Sequence, residues 1–290
     1  MIYDTICLSG GGFKSLYQIG ALDYLEKNKI IILNKINNFI GTSSGAIMCF
    51  FLSLSYSIQD IKNFILDFNF NILLPDFNID NIFLNFGLDN GKKITYIITM
   101  FLKNKYNIED ITFNEHYILT KIKLSIIGCN YTKKKEVCFN VDKTPNMSII
   151  TAIRISISIP LLFTPVLYND EYYIDGGVFN NFPINYCNIN TTLGINTYSS
   201  NFDEDNKLDN IINFILSSFS LLINANTNKI NSLNILNIKI NKNMNFLNFE
   251  LSNNEKNDII NSGYIQTNEW INNIPTKICE SIINNIILTI

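Results

Sequence analysis

Two strand–turn–helix units at the start of the chain most constrain its fold. "DTICLS" has the apolar character of a buried strand and leads through residues 10–12, all glycine, into a segment with helical spacing of its leucine and isoleucine residues. A second strand, "NNFI", leads through residues 41–45 into the apolar stretch "AIMCFFLSLSYSI". Consecutive units of this kind place strands side by side and parallel, because the helices act as crossover connections. The sequence therefore predicts an α/β fold with a mainly parallel central sheet.

Further along the chain, helices and strands continue to alternate without an evident linker or repeat. Residues 58–110 are predicted to be mostly helical and are rich in phenylalanine. "KLSIIGCNY" and "EVCFNV" are predicted to form a strand pair, with the three lysines 133–135 in a solvated hairpin turn. "SIITAIRISISI" is predicted to be a helix ended by Pro160, and strands follow in "LLFTPVLY" and "EYYIDGG".

We expect a single domain over residues 1–290. A chain of 290 residues lies within the range of one α/β domain. Near its end, Ser252 and Glu255 have the spacing of a capping box, which predicts a helix that runs toward Gly263. The whole C-terminal part, residues 205–290, is expected to be mainly helical.

The composition excludes several classes of protein. The net charge is −3 and basic residues form no large cluster, so the chain lacks the electrostatic pattern of a nucleic-acid-binding protein. The most apolar runs, "AIMCFFLSLS" and "FILSSFSLLI", have about half the length of a membrane span. The six cysteines lack the spacing of a zinc site, and no signal-peptide pattern precedes the first strand. These features predict a cytoplasmic protein that is not secreted, with reduced thiols and without a metal.

A serine occupies the turn of the second unit. Gly41-Thr42-Ser43-Ser44-Gly45 is a G-x-S-x-G pattern, in which the small flanking residues let the backbone pass close to neighbouring elements. The helix that follows points its N-terminal amides at this serine, where negative charge is favoured. The pattern predicts Ser43 as a nucleophile, and a tight turn with a helix-capping serine is the alternative.

The glycine loop of the first unit is the second candidate site. Gly10, Gly11 and Gly12 let backbone N–H groups approach an anion without a clash from Cβ atoms. The loop has Ser15 in place of the last glycine of a dinucleotide-binding motif, and its spacing of glycine and lysine does not match a P-loop. An oxyanion hole tolerates both departures, because it needs only one or two aimed N–H groups. A tight packing turn is equally consistent with the loop.

A nucleophilic Ser43 needs a proton acceptor, and two residues are candidates. His116 is the single histidine, and it lies in a predicted helix start before a strand, where a histidine is usually structural. Asp175 ends the strand "EYYID" before Gly176 and Gly177, which predicts a carboxylate at the C-terminal edge of the sheet. An aspartate in this place also caps a turn. As a base it needs desolvation to raise its pKa above about 3.9.

The order of these segments resembles the patatin-like phospholipase family. "LSGGGFKSLYQIGAL" resembles its oxyanion loop and first helix, "FIGTSSGAI" its nucleophile elbow, and "AIRISISIPLLFTPVLYNDEYYIDGGVFNNFPI" the stretch that carries its aspartate. "ITFNEHY" to "EVCFN" is similar to its middle strands, and "FELSNNEKNDIINSGYIQTNEW" resembles its closing helix. Residues 50–90 and 195–235 match least.

The resemblance implies a three-layer α/β/α patatin-like fold and a serine–aspartate pair without a histidine. Ser43 would be the nucleophile and Asp175 the base, and no metal or other cofactor is implied. The elbow would be framed by Gly41 and Gly45, and the aspartate would be followed by the glycines of its Asp-Gly-Gly motif. The implied oxyanion hole lies in the loop formed by Gly10, Gly11, Gly12, Phe13 and Lys14.

The implied activity is hydrolysis of acyl esters by a phospholipase A-type enzyme, with a phospholipid or another acyl-ester lipid as substrate. Residues 60–95 would form a lid or make peripheral contact with a membrane surface, and packing into a core is the alternative. The family normally has a glycine where this chain has Ser15, and a required positive φ there would distort the oxyanion hole. The rival functions are a carboxylesterase or transacylase with the same residue pair, and a catalytically weak lipid-binding relative.

Overall fold

The computed structural model describes residues 3–73, 79–198, 232–240 and 251–274, together with residues 214, 218, 219, 221 and 223. The helices in this part of the chain are α1 (Ser15–Lys27), α2 (Ser44–Ser53), α3 (Ile58–Asp67), α4 (Ile79–Asn85), α5 (Lys92–Tyr106), α6 (Phe113–Thr120), α7 (Ile149–Ser156) and α8 (Asn253–Asn272). The strands are β1 (Thr5–Leu8), β2 (Asn38–Thr42), β3 (Gly87–Asp89), β4 (Lys123–Asn130), β5 (Lys135–Asn140), β6 (Leu161–Phe163), β7 (Val166–Tyr168), β8 (Glu171–Asp175), β9 (Thr192–Tyr198) and β10 (Ile235–Lys239).

The central sheet contains five parallel strands in the order β10-β9-β1-β2-β4. β5 and β8 both pair antiparallel with β4, and β7 forms a hairpin with β8. β3 and β6 form a separate parallel pair. The predicted α/β fold with a mainly parallel central sheet and flanking helices is therefore confirmed.

The strands at the centre of the sheet are buried on both faces, as parallel strands require. On one face Leu8, Phe39 and Ile126 belong to the main hydrophobic core, which includes residues of α1, α2 and α7. On the other face Cys7 and Ile40 pack in a smaller cluster that also contains Phe182 and Ile184, from the segment that follows β8. This segment therefore lies against the strands that carry the glycine loop and the serine turn.

Helix α1, which begins directly after the glycine loop, is held closely against α8. A methyl group at Gly20 would lie 1.8 Å from the carbonyl oxygen of Ile260, and one at Gly263 would lie 2.1 Å from the carbonyl oxygen of Tyr17. The two backbones approach so closely only because each helix has a glycine at the crossing. Because α1 begins directly after the glycine loop, its contact with α8 also fixes the position of the end of that loop.

The predicted lid region, residues 60–95, has both an inner and an outer side. Phe64 packs on Phe101 with ring centroids 4.7 Å apart, and Phe68 packs on Phe70 at 5.0 Å. Phe83, in contrast, is exposed on α4. The alternative of packing into a core therefore describes α3 and the turn after it. Phe77 lies outside the described residues.

The C-terminal part differs from the mainly helical expectation. β10 is a strand within it, at the edge of the sheet, and much of residues 205–290 lies outside the described residues. The predicted closing helix is present as α8. It begins after a capping box in which the Glu255 N–H donates to Ser252 Oγ at 3.3 Å, and it continues past Gly263. The assignment of residues 1–290 to one domain stays a prediction.

Two local predictions can be compared directly with the structure. Lys133 and Lys134 lie in the turn between the antiparallel strands β4 and β5, as predicted, whereas Lys135 is the first residue of β5, and all three are exposed. Helix α7 ends at Ser156, before Pro160. Across the described ranges, none of the helices is both long and apolar enough to traverse a bilayer.

Replacing Gly263 by alanine is expected to lower the free energy of unfolding by about 3 kcal/mol, because the added methyl group forces α1 and α8 apart. Urea unfolding of the purified protein measures this change. The control is Asn261→Ala, an exposed position on the same helix, which should change the stability by less than about 0.5 kcal/mol. Equal stabilities of the Gly263 variant and the parent would contradict the close helix crossing.

Candidate active site

Strands β2 and β8 approach each other head-on along the same side of β4. β2 runs parallel to β4 and ends at Thr42, which pairs with Ile127. β8 runs antiparallel to β4 and ends at Asp175, which pairs with Gly128, the next residue of β4. β5 occupies the opposite side of β4 along this stretch. The turn that follows β2 and the last residue of β8 must therefore meet beside β4.

This meeting brings Ser43 and Asp175 into direct contact. Ser43 Oγ donates a hydrogen bond of 2.8 Å to Asp175 Oδ2, and both residues are buried. The other carboxylate oxygen, Oδ1, accepts a 2.7 Å hydrogen bond from the Gly177 N–H. Asp175 lies at the carboxyl end of the parallel strands, as predicted, although its own strand arrives from the opposite direction.

The serine turn has the strained backbone of an elbow. Ser43 has φ 53° and ψ −123°, a conformation that a residue with a side chain adopts only when its surroundings enforce it. The chain packs too tightly here for larger neighbours, since a methyl group at Gly41 would lie 2.5 Å from the carbonyl carbon of Gly45. A methyl group at Gly45 would lie 2.5 Å from the Ser9 carbonyl oxygen. On the aspartate side, a methyl group at Gly176 would lie 2.4 Å from the Ile127 carbonyl oxygen.

Burial changes the acid–base properties of Asp175. Desolvation raises the pKa of this carboxyl group to about 7, against the opposing effects of hydrogen bonds from the Gly177 N–H and the Ser43 hydroxyl. A carboxylate with a pKa near neutrality can accept a proton at physiological pH and return it later. Burial thus gives Asp175 a proton affinity that an exposed aspartate lacks.

His116 lies apart from this pair. Its Nε2 is 2.9 Å from the hydroxyl of Ser53, at the C-terminal end of α2, whereas Ser43 immediately precedes the N-terminal end. Ten helical residues separate these ends by about 15 Å. Burial lowers the pKa of His116 to about 4, so the ring is neutral and belongs to the core. Within the described ranges no three His, Cys, Asp or Glu side chains are grouped as ligands for a metal ion.

The glycine loop passes next to the serine. A methyl group at Gly10 would lie 3.1 Å from Ser43 Cβ. Gly11 has φ 153° and Gly12 has φ 58°, backbone conformations that side chains disfavour. The Gly10 N–H donates to the Asn181 carbonyl oxygen at 3.0 Å, whereas the N–H groups of Gly11 and Gly12 donate to no acceptor within the described part of the protein. These two N–H groups can therefore serve an added anion.

The remaining loop residues form a short 3₁₀ turn, Gly12–Lys14, which leads into α1. Phe13 and Lys14 are both buried, and desolvation lowers the pKa of Lys14 to about 8. Ser15 has φ −61° and ψ −18°, an ordinary helical conformation. The suspected distortion at Ser15 does not arise, because no positive φ is required there.

Four further residues hold the serine and the aspartate in place, and the sequence analysis did not single them out. The Ser43 N–H donates to Ser156 Oγ at 2.8 Å, and that hydroxyl donates to the Ile127 carbonyl at 2.5 Å.

The Asp175 N–H donates to the Ser158 carbonyl at 2.9 Å. Arg154 fixes Ser158 through its guanidinium group, and Asn181 Nδ2 donates to the Gly10 carbonyl at 3.3 Å. The signal available in the sequence was two serines at the end of a helix, two residues apart.

An apolar cavity of about 180 Å³ adjoins Ser43. Ser15, Ser43 and Ser44 belong to its lining, and the rest of its wall is almost entirely aliphatic and aromatic. The apolar wall comes from the loop and α1 (Phe13, Leu16), α2 (Ile47, Met48, Phe51), α3 and the turn after it (Ile61, Phe64, Ile65, Phe68, Phe70, Leu73), α5 (Ile94, Ile97, Ile98) and the segment after α7 (Ile157, Ile159, Phe163). Such a cavity suits a hydrocarbon chain.

Solved structures that share this fold include VipD and ExoU. VipD from Legionella pneumophila superimposes with a TM-score of 0.70 at 16% identity, over 94% of this chain and 67% of that one. The type III effector ExoU of Pseudomonas aeruginosa superimposes with a TM-score of 0.54 at 14% identity, over 94% of this chain and 53% of that one. This chain thus corresponds to only part of each of these proteins.

Sequence comparison identifies the family. A probable lipid hydrolase, 463L, of Invertebrate iridescent virus 6 is 36% identical over 228 residues, which cover 72% of this chain and 76% of the relative. An omega-hydroxyceramide transacylase of Mus musculus is 26% identical over 69% of this chain and 31% of that protein. The model of the family named patatin-like phospholipase matches residues 6–187, a range that includes the glycine loop, Ser43 and Asp175. The chain belongs to the patatin-like phospholipase family.

Proposed function

We propose that the protein is a lipid acyl hydrolase of phospholipase A type, in which Ser43 is the nucleophile and Asp175 its general base. The observation that carries this proposal is the 2.8 Å hydrogen bond from Ser43 Oγ to Asp175 Oδ2, together with the apolar cavity that Ser43 lines. Family membership and the viral relative named as a probable lipid hydrolase support lipid esters as substrates.

In the first half of the reaction, Ser43 Oγ attacks the ester carbonyl carbon while its proton passes to Asp175 Oδ2. The negative charge that develops on the carbonyl oxygen is stabilised by the N–H groups of Gly11 and Gly12, which have no protein acceptor within the described residues. The carbon–oxygen bond to the alcohol then breaks, and the departing oxygen takes the proton from Asp175. An acyl group remains on Ser43, with its chain in the cavity.

In the second half, water attacks the acyl carbon and gives a proton to Asp175, which returns it to Ser43 Oγ as the fatty acid leaves. A pKa of about 7 allows Asp175 to accept and release this proton in turn. No step needs a metal ion.

A transacylase is the second candidate, because an alcohol can replace water as the acceptor of the acyl group without any change in the proton transfers. The relative named as an omega-hydroxyceramide transacylase favours this reading. The alternative of a catalytically weak lipid-binding protein rested mainly on a possible distortion of the oxyanion hole at Ser15. This support is absent, because Ser15 has an ordinary backbone conformation. A cytoplasmic location and the lack of nucleic-acid binding stay predictions from the sequence.

Release of fatty acid from mixed phospholipid vesicles in the presence of EDTA tests the proposal. Ser43→Ala and Asp175→Asn should each reduce the rate by about 100-fold or more, because one lacks the nucleophile and the other lacks the base. The parent's rate should fall as pH drops below about 7, where Asp175 becomes protonated. Ser262→Ala, at a serine of α8 that does not line the cavity, is the matched control and should remain active. Persistent release by Ser43→Ala would rule out the assigned nucleophile.

Asp175→Asn is also expected to stabilise the fold, and the gain should depend on pH. The folded-state pKa of about 7 lies above the ordinary aspartate pKa of 3.8, so the parent loses stability as pH rises through this window. Asparagine removes the buried charge and keeps an oxygen for the Gly177 N–H. Urea unfolding at pH 8 should show a gain of up to about 4 kcal/mol, which shrinks toward pH 5. A gain that is the same at both pH values would contradict a buried carboxylate.

Ser156 is expected to act as a positioning residue. Ser156→Ala leaves the Ser43 N–H and the Ile127 carbonyl oxygen without their partner, so the elbow should relax and kcat should fall by about 10- to 100-fold. Steady-state kinetics with p-nitrophenyl butyrate measure kcat and KM separately, and KM should change much less than kcat. Ser156→Thr keeps the hydroxyl and should recover most of the rate. An increase in KM without a change in kcat, or a kcat that Ser156→Thr does not restore, would show that the hydroxyl does not position Ser43.

A further inference from the structure

Five large apolar side chains are exposed on neighbouring segments of the chain: Ile72, Phe83, Leu84, Phe86 and Leu161. Their exposed fractions range from 40% at Leu161 to 77% at Phe83. Leu161 in β6 pairs with Gly87, the residue directly after Phe86, so these two positions adjoin. We call this set the apolar surface. Side chains of this size are normally buried, and clusters of them on a surface mark sites of interaction.

The apolar surface adjoins the wall of the cavity at two places, the turn after α3 and helix α4. Ile72 is exposed, while its neighbour Leu73 lines the cavity. On α4, Ile82 packs against a hydrophobic cluster that contains Ile159 and Phe163, and both of these residues line the cavity. The apolar surface is therefore linked to the compartment next to Ser43 through Leu73 on one segment and through Ile82, Ile159 and Phe163 on the other.

The charges near the apolar surface indicate which kind of interface it fits. Residues 68–88 contain no lysine or arginine, and the first basic residues after them are Lys92 and Lys93 at the start of α5. A surface that binds anionic lipid needs basic residues, each of which contributes about 1 kcal/mol near such a membrane. Binding must then come from the insertion of apolar side chains, which requires no charge on the lipid.

We propose that the apolar surface inserts into a zwitterionic lipid surface and so brings the cavity beside Ser43 to its substrate. This inference rests on the proposed lipid-hydrolase function, and it adds the interface at which that function operates. A protein partner would also cover apolar side chains, but the continuity with a cavity suited to a hydrocarbon chain favours lipid. The segment earlier described as a lid thereby has two roles, as cavity wall and as docking surface.

The test uses flotation with phosphatidylcholine vesicles and two double variants of the full chain. Phe83→Ser/Leu84→Ser removes the two most exposed side chains of the apolar surface. Ile118→Ser/Leu119→Ser is the matched control, because these α6 residues are also adjacent and exposed, at 59% and 47%, and do not line the cavity. The first variant should bind vesicles at least about tenfold more weakly than the parent, and the control should bind like the parent.

Two further measurements distinguish insertion of apolar side chains from other causes of vesicle binding. Raising the salt from about 0.1 M to about 1 M should leave binding of the parent intact, and phosphatidylserine in the vesicles should not strengthen it. Hydrolysis of vesicle lipid by Phe83→Ser/Leu84→Ser should fall at least about tenfold more than its hydrolysis of soluble p-nitrophenyl butyrate, which also reports that the variant is folded. Ile72→Ser/Phe86→Ser provides a second variant if the first does not fold.

Parent-like vesicle binding by both apolar-surface variants, or binding that depends on phosphatidylserine and disappears in high salt, would overturn the inference. Equal loss of binding in the Ile118→Ser/Leu119→Ser control would overturn it as well, because the effect would not be local. If the parent floats with vesicles and yet hydrolyses neither vesicle lipid nor the soluble ester, the proposed function fails while the docking surface stands. The two failures are therefore distinguishable.

Discussion

The site depends on how β4 pairs with two strands of opposite direction on one side. β2 ends opposite Ile127 and β8 ends opposite Gly128, the next residue of β4. Ser43, which follows β2, and Asp175, the last residue of β8, are therefore held next to each other. The hydrogen bond between Ser43 and Asp175 follows from this register and needs no flexible loop to form it. The elbow strain at Ser43 is sustained in the same way, since sheet pairing on one side and α2 on the other over-determine its backbone.

The same tight construction sets the electrostatics. Packing that excludes water from Asp175 raises its pKa, and the two hydrogen bonds it accepts only partly offset the desolvation. A buried carboxylate beside a strained serine costs stability, and the extensive core around α1, α2 and the central strands compensates for it. His116 illustrates the opposite outcome of burial. Its ring is held neutral against Ser53, so desolvation creates a base from an aspartate and removes the histidine from acid–base chemistry.

Local patterns were enough to predict the strands β1 and β2, the helices after them and the turns between them, because each depends on residues close in sequence. The direction from which Asp175 arrives was not predictable in that way, since it depends on which side of β4 the strand β8 pairs. Ser156 and Asn181 support the site across more than a hundred residues of sequence, and hydrophobic periodicity does not predict such contacts. Ser15 shows the limit of motif reasoning. Its departure from the family pattern suggested a defect, but only the backbone angles could show that a side chain fits there.

The segment from α3 to β3 shows why an abundance of phenylalanine could not by itself decide between a core and an interface. Phe64 and Phe68 stack on other rings, whereas Phe83 and Phe86 are exposed, and no difference in residue type separates the two pairs. What separates them is their position, because Phe64 and Phe68 line the cavity whereas Phe83 and Phe86 face the exterior. Through Ile82, Ile159 and Phe163, apolar side chains follow one another from the exterior to the cavity beside the serine. For a substrate with an acyl chain, such continuity reduces the distance over which apolar surface must cross water.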